Sequence, residues 1–275
     1  MAKFFYFFDD FINIKVRNRA PVYYFSAERN VGDLLTPYLV EKLTGRIAHN
    51  VKSRYFRHML AVGSMMHRAK SNSDIWGTGT LGPEIASKIP VSELRIHALR
   101  GHLSKALLYG EAANGLDIPL GDPAVLMKGF FDPKVEKKYR IGIIPHYVDE
   151  DLSMFKALSR GDVHVINVRN SPESFIRELL ECEFILSSSL HGLILADTYG
   201  VPNKWVSFSD GLAGGRFKFA DYYSTTSQPD EDVVRITDAQ ELDVCLESIS
   251  DLASVKRFKE NKEQLEASFP KDAYR

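Results

Sequence analysis

Short β-rich apolar runs alternate along this chain with stretches of helical spacing, and no other feature restricts the fold as strongly. PVYYF (21–25) precedes LLTPYLVEKLTG (34–45); HMLAVG (58–63), IWGTG (75–79) and LRIHALRG (94–101) follow, the last leading into HLSKALLYG. After residue 139 the rhythm resumes with RIGII (140–144), EDLSMFKALSRG, VHVINV (163–168), PESFIRELLECE, FILSS (184–188), HGLILADTYG and KWVSF (204–208). Strands that alternate with helices must run parallel, because each helix carries the chain back to its starting edge. An α/β fold with doubly wound, mostly parallel sheets is therefore expected. Ser171 before Pro172 predicts a capped helix start, and Gly200 a helix stop.

The segment LGDPAVLMKGFFDPKVEKKY (120–139) interrupts this pattern with two Asp-Pro turns, two glycines and a charged run. It predicts a boundary near residue 135, between a domain over 1–135 and another over 136–275, with a cleft between them. Length agrees, since 275 residues suit one large or two modest domains. The last forty residues read as helical, with Leu252, Val255, Phe258 and Leu265 as a buried stripe. The aromatic start, FFYFF at 4–8, is broken by Asp9 and Asp10, far short of a membrane span of about 18 apolar residues, and lacks a signal-peptide cleavage region. An edge strand or hydrophobic plug is expected there, with contact at a membrane surface as the alternative.

With 35 basic against 36 acidic side chains, the formal net charge of -1 provides no global field for nucleic acid, so any anion recognition must be local. Cys182 and Cys245 have no metal-ligand or redox spacing and are expected to be inert thiols in a reducing cytoplasm.

In a doubly wound sheet the ligand crevice lies beyond the carboxyl ends of the strands. The residues there are polar: Pro145-His146-Tyr147, Arg169, Ser189 with His191, and Ser209-Asp210 in the second half, and Asn30-Val31-Gly32-Asp33, Gly63-Ser64, Gly77-Thr78-Gly79 and Arg100-Gly101 in the first. In SSSLHG, Ser187 to Ser189 end an apolar strand as a helix begins, so their hydroxyls and the first-turn N–H groups form an anion site. His191, in that first turn, is a candidate general acid or base; the competing reading has Ser187 and Ser188 merely capping the helix while His191 packs against a neighbour. Gly32 would let backbone approach a ligand, and Asp33 would cap its helix. Arg100, Arg169, Arg216 and Lys218 stand in or after loops as candidate anion partners. GTGTLG (77–82) matches the bare dinucleotide glycine pattern, but it follows a very short strand and runs into Pro83, so it is read as a chance match. Neither a zinc motif nor a serine-hydrolase elbow is present.

Taken together, these segments resemble the polysaccharide pyruvyl transferase family: Asn30-Val31-Gly32-Asp33 with its helix, AVGSMM, IWGTGT, ALRGHLSKALL with LGDPAVLM, IGIIPHYVD, and SSSLHGLILADTYGVPNKWV, in family order from about residue 22 to 223. The bacterial exopolysaccharide branch is the most similar. The resemblance implies two Rossmann-like domains in a GT-B-like arrangement, with the active site in the interdomain cleft. It implies transfer of pyruvate from phosphoenolpyruvate to two hydroxyls of one sugar as a cyclic ketal, with no cofactor or metal. The acceptor would be lipid-linked or nucleotide-linked, and the enzyme cytoplasmic, with the inner face of the membrane as a peripheral station.

On this resemblance His191 matches the family's Leu-His histidine as acid or base, and Arg100 the arginine that clamps the donor anion. His146 would orient the acceptor or share proton transfer; Ser188 and Ser189 would hold phosphate or carboxylate; Asn30, Gly32 and Asp33 would line the substrate site. Many family members carry arginine where this chain has Ser189, so Arg216 or Lys218 is expected to replace that charge. The alternatives are a GT-B glycosyltransferase using a nucleotide sugar and a non-catalytic ligand-binding member of the family.

Overall fold

The computed structural model describes residues 2–156, 158–209 and 214–274. It divides into two compact units, one of Met1–Pro123 with Glu260–Arg275 and one of Ala124–Lys259.

The first unit is built on five short strands, β1 (Ala20–Val22), β2 (Ala48–Asn50), β3 (His58–Leu60), β4 (Ser73–Trp76) and β5 (Arg95–Ala98), in the order β2-β1-β3-β4-β5. Every pairing is parallel. The second repeats the plan with β6 (Tyr139–Ile144), β7 (Val163–Val165), β8 (Cys182–Ser187), β9 (Asn203–Ser207) and β10 (Val234–Arg235), ordered β10-β9-β8-β6-β7 and again all parallel. Counted within each unit, both orders are 2-1-3-4-5, so each sheet reverses its winding once: between β1 and β3, and between β6 and β8. The connections diverge at that reversal and leave a crevice at the strands' carboxyl ends.

The expected α/β alternation is present, with differences that have local causes. β2 and β10 carry no strand signal in the sequence, because AHN and VR are too short and polar. Among the described residues of the stretch expected as helix at 150–161, the helix is Ser153–Lys156. No single helix spans the last forty residues: a turn at Ile249–Leu252 gives way to isolated bridges from Ser254 and Phe258, and Lys262–Ala267 forms a separate short helix. The aromatic start is an α-helix, Ala2–Phe11, and not an edge strand. Ser171 does cap the helix Pro172–Leu180, accepting from Ser174 N–H, and Gly200 ends Leu190–Tyr199 at φ 74°.

The division of the chain falls after Pro123 rather than near residue 135, and residues 260–275 belong with the first unit. Hydrogen bonds to β4 account for that return. Asp74, fully buried, accepts from Tyr274 Oη at 2.9 Å, His97 Nε2 at 2.8 Å and both prongs of Arg57. Burial alone would raise its pKa, but those donors outweigh it and hold the carboxyl at about 2. Trp76 Nε1 donates to the Leu265 carbonyl at 2.9 Å, and its ring meets Phe269 edge-on at 5.0 Å.

Candidate active site at the second switch point

In the second unit the strands β6 and β8 end side by side, with Ile144 paired to Ser187. Ser187 Oγ donates to the carbonyls of Ile144 and Ser189, at 3.1 and 2.9 Å, and accepts from Ser189 N–H. Its hydroxyl therefore closes the strand end. Ser189 occupies the N-cap position of the helix Leu190–Tyr199 without a side-chain cap bond, so neither Ser187 nor Ser188 caps this helix. Gly192 allows the helix to seat this closely, since a Cβ there would meet Ser187 Oγ and lie 2.9 Å from Ile144 Cγ2.

Ser188 links the two loops. Its hydroxyl accepts from His146 N–H at 2.8 Å and lies 3.3 Å from Asp149 Oδ2, to which it donates. Asp149, 1% exposed, also accepts from Ser209 Oγ at 2.5 Å, and its own N–H bonds to the His146 carbonyl. One carboxylate thus gathers the loops that follow β6, β8 and β9. Sequence reasoning did not single out Asp149, although IGIIPHYVD contains it. Its one available signal was an acidic residue five places after an apolar strand.

His146 and His191 are both half-buried, and the Nε2 of His191 is buried. Burial drives the His146 pKa down from 6.5 to about 4, and the nearby charges of Lys218 and His191 push it the same way. The structure therefore brings two imidazoles, the buried ammonium of Lys218, and Ser188 together at one switch point. Near neutral pH His146 is an uncharged imidazole, suited to accept a hydrogen bond or a proton and not to donate one as a cation.

Arg216 is placed differently. Its side chain is 68% exposed, pairs with Asp232 at 3.5 Å and lies over the Trp205 ring at 5.6 Å, beside a cavity of about 410 Å³ that Ser209 and Arg235 also line. Arg169 forks onto Glu150 in the same unit. Asp210 lies outside the described residues.

The remaining sequence candidates belong to the first unit. Arg100 is fully buried, donating to Ser64 Oγ at 2.5 Å and to the Thr80 carbonyl at 2.9 Å, and the space a Cβ of Gly79 would need is filled by its guanidinium. It gathers the residues that follow β3, β4 and β5. Asn30, and not Asp33, caps the helix Val31–Thr44: its side chain accepts from Asp33 N–H at 3.1 Å, and its amide bonds the Asp33 carboxylate in return. Gly32 is buried in that first turn. Asn30 and Asp33 line a hollow of about 110 Å³ with Tyr24 and Arg29.

One group among the described residues has metal-ligand proximity, Asp9 and Asp10 with His49, their ligand atoms within 4.8 Å of one another. Asp10, however, already accepts from His49, from the N–H groups of Lys52 and Ser53 and from the Ser53 hydroxyl, so the cluster reads as a clasp between segments. Cys182 and Cys245 are free and buried, with burial pushing the Cys182 thiol up to about 12, which agrees with inert thiols. No helix among the described residues is long and apolar enough to cross a membrane.

Comparison with known proteins bears on this geometry. The profile of the polysaccharide pyruvyl transferase family matches residues 97–209, which include Arg100, His146, Asp149, Ser188, Ser189 and His191. The chain is 32% identical over 218 residues to the uncharacterized protein L143 of Acanthamoeba polyphaga mimivirus, covering 76% of this chain and 75% of that one. It is 27% identical over 217 residues to the succinoglycan biosynthesis protein ExoV of Rhizobium meliloti, covering 74% of this chain and 64% of ExoV. The crystal structure of the uncharacterized protein KP1_0663 of Klebsiella pneumoniae aligns over 84% of this chain and 97% of its own, at 15% identity and a TM-score of 0.43.

Proposed function

The chain belongs to the polysaccharide pyruvyl transferase family and is a transferase; from that premise we propose that it moves pyruvate from phosphoenolpyruvate onto two hydroxyls of one sugar in a polysaccharide precursor. The observation that carries this reading is the convergence of His146, His191 and Lys218 on the switch point between β6 and β8, where an anionic donor would find a cation and two imidazoles together.

The chemistry assigns each group a task. A proton adds to the methylene carbon of phosphoenolpyruvate, making the adjacent carbon electrophilic. One sugar hydroxyl attacks that carbon and gives up its proton. Phosphate leaves with the C–O bonding pair, and a second hydroxyl closes the ketal, its proton also passing to a base. In this proposal His191 is the acid or base, and neutral His146 accepts the acceptor hydroxyl or shares the transfer. Lys218 supplies the charge that many family members place at the position of Ser189, and Ser188 and Ser189 hold phosphate or carboxylate at the helix start. Lys218 suits that task better than Arg216, because Lys218 already acts on His146 electrostatically whereas Arg216 is exposed and paired with Asp232.

The proposal further has Arg100 clamp the donor from the first domain, with Asn30, Gly32 and Asp33 lining the substrate site in a GT-B-like arrangement. It places the enzyme in the cytoplasm, acting on a lipid-linked or nucleotide-linked acceptor. The test is incubation with phosphoenolpyruvate and a panel of sugar precursors. Phosphate released in step with a pyruvylated product supports the reading; release of a nucleoside diphosphate from a nucleotide sugar would replace it with glycosyl transfer. Donor binding without turnover, unchanged in His191→Ala, would indicate a binding protein.

A further inference from the structure

The helix Ala2–Phe11 is amphipathic in the reverse sense to an ordinary surface helix. Its polar Asp10 points inward and is fully buried, accepting from the N–H groups of Ser53 at 2.8 Å and Lys52 at 3.2 Å and from His49 Nε2 at 2.9 Å. Phe7 stacks on Phe56 at 5.3 Å, and Phe11, one turn on, meets the same ring at 6.5 Å. The solvent side presents Phe4 at 71% exposure, Phe5 at 67% and Phe8, with Phe11 partly exposed at its edge, continuing into exposed Ile12 and Val16. A helix docked by its carboxylate with its phenyl rings in solvent is poorly explained by the packing of one chain in water, because burying those rings is the more favourable use of the same helix.

The surroundings of this face are basic. A hollow of about 690 Å³ lies beside it, lined by Tyr6, Lys52, Arg54, Tyr55 and Lys70 with Ser and Asn residues and no acidic side chain. Lys52 sits 5.7 Å over the Tyr6 ring. Arg54 is held in place: its φ is +54°, its guanidinium donates to the Arg68 carbonyl at 2.6 Å, and the Arg54 carbonyl accepts from Asn72 Nδ2 at 2.7 Å. Exposed Lys15 and Arg17 follow the helix. In a chain whose net charge is -1, this concentration of cations is local to the aromatic face.

From these observations we infer that the helix Ala2–Phe11 and the adjoining Lys52–Arg54–Lys70 hollow dock on an anionic lipid bilayer. The phenyl rings enter the boundary between headgroups and acyl chains, the tyrosines sit at headgroup level, and the cations meet lipid phosphates. A second copy of the chain is a poorer occupant, since an isologous pairing would set basic hollow near basic hollow. This inference is independent of the proposed pyruvyl transfer, because lipid binding needs no turnover. It does add a consequence: an acceptor held in a membrane would be presented to a protein already resident there.

The experiment is flotation of the full-length chain with vesicles of phosphatidylcholine alone and of phosphatidylcholine mixed equally with phosphatidylglycerol. The protein is expected to float with the mixed vesicles, at least about tenfold more tightly than with neutral ones, and to be released by salt. Phe4→Ser/Phe5→Ser/Phe8→Ser should weaken binding at least about tenfold. Lys52→Glu/Lys70→Glu, which leaves the phenyl rings unchanged, should do the same. In a third variant, Phe8→Trp, the added indole emission should shift to the blue with mixed vesicles and be quenched by brominated acyl chains. Equal binding by parent and both multiple variants, or a parent that ignores mixed vesicles, overturns the inference. A parent that ignores vesicles and forms a dimer abolished by the serine substitutions assigns the face to a second copy instead.

Discussion

Ser209 Oγ donates to Asp149 Oδ1 at 2.5 Å, and this bond ties the end of β9 to the loop that carries His146. Asp149 takes Ser188 on its other oxygen, so the orientation of His146 depends on a carboxylate that need not touch a substrate. Asp149→Asn keeps the size but removes the charge that both hydroxyls address. A loss of about 1–3 kcal/mol in stability is expected from urea unfolding, with kcat for phosphate release falling by more than the KM for phosphoenolpyruvate changes.

His191→Ala should lower turnover by about 100-fold to 10,000-fold, the range for losing a general acid or base. Phosphate release under saturating donor measures it. Full activity in the variant would remove His191 from proton transfer.

Lys218 and Arg216 should separate cleanly. Lys218→Met removes a buried cation beside His146 and is expected to raise the KM for phosphoenolpyruvate about tenfold or more, whereas Arg216→Ala, at an exposed pair with Asp232, should change it less than about threefold. Equal effects would reverse the choice between them.

The imidazole of His146 should titrate near 4 in the free protein, by NMR, and move upward when inorganic phosphate binds, because an anion favours the charged ring. In Lys218→Met the free value should also rise, since one depressing charge is gone. No movement in either case would place the ring away from both groups.

Acid stability carries a further sign. Burial holds His58 at about 4, as it does His146, and the His58 ring is bonded on both sides, to the Phe56 carbonyl and to Ser73 Oγ. With folded values below the unfolded 6.5, the unfolded chain binds protons first. The contribution of these two histidines to stability should therefore be constant above that value and be lost as pH drops from 6.5 toward 4. His58→Gln, measured by urea midpoints at about pH 7 and about pH 5, should show a smaller drop than the parent.

The sequence by itself determined the alternation of strands and helices, the helix boundaries at Ser171, Pro172 and Gly200, and the polar strand ends where His146, Ser188 and His191 stand. These follow from local chemistry: side-chain period, fixed proline φ and glycine's tolerance of positive φ. The tertiary structure alone decided that AHN and VR become sheet edges, that Tyr274 returns to Asp74, that Asn30 rather than Asp33 caps its helix, and that Asp149 gathers three loops. It also turned the aromatic start into a helix with its carboxylate inside. Apart from the Asn30 cap, whose partner Asp33 lies three residues on, each of these depends on partners tens or hundreds of residues away in the chain. A hydrogen bond such as Ser209 to Asp149 leaves no period in the sequence, because its cause is the parallel register of strands that meet only when the sheet has formed.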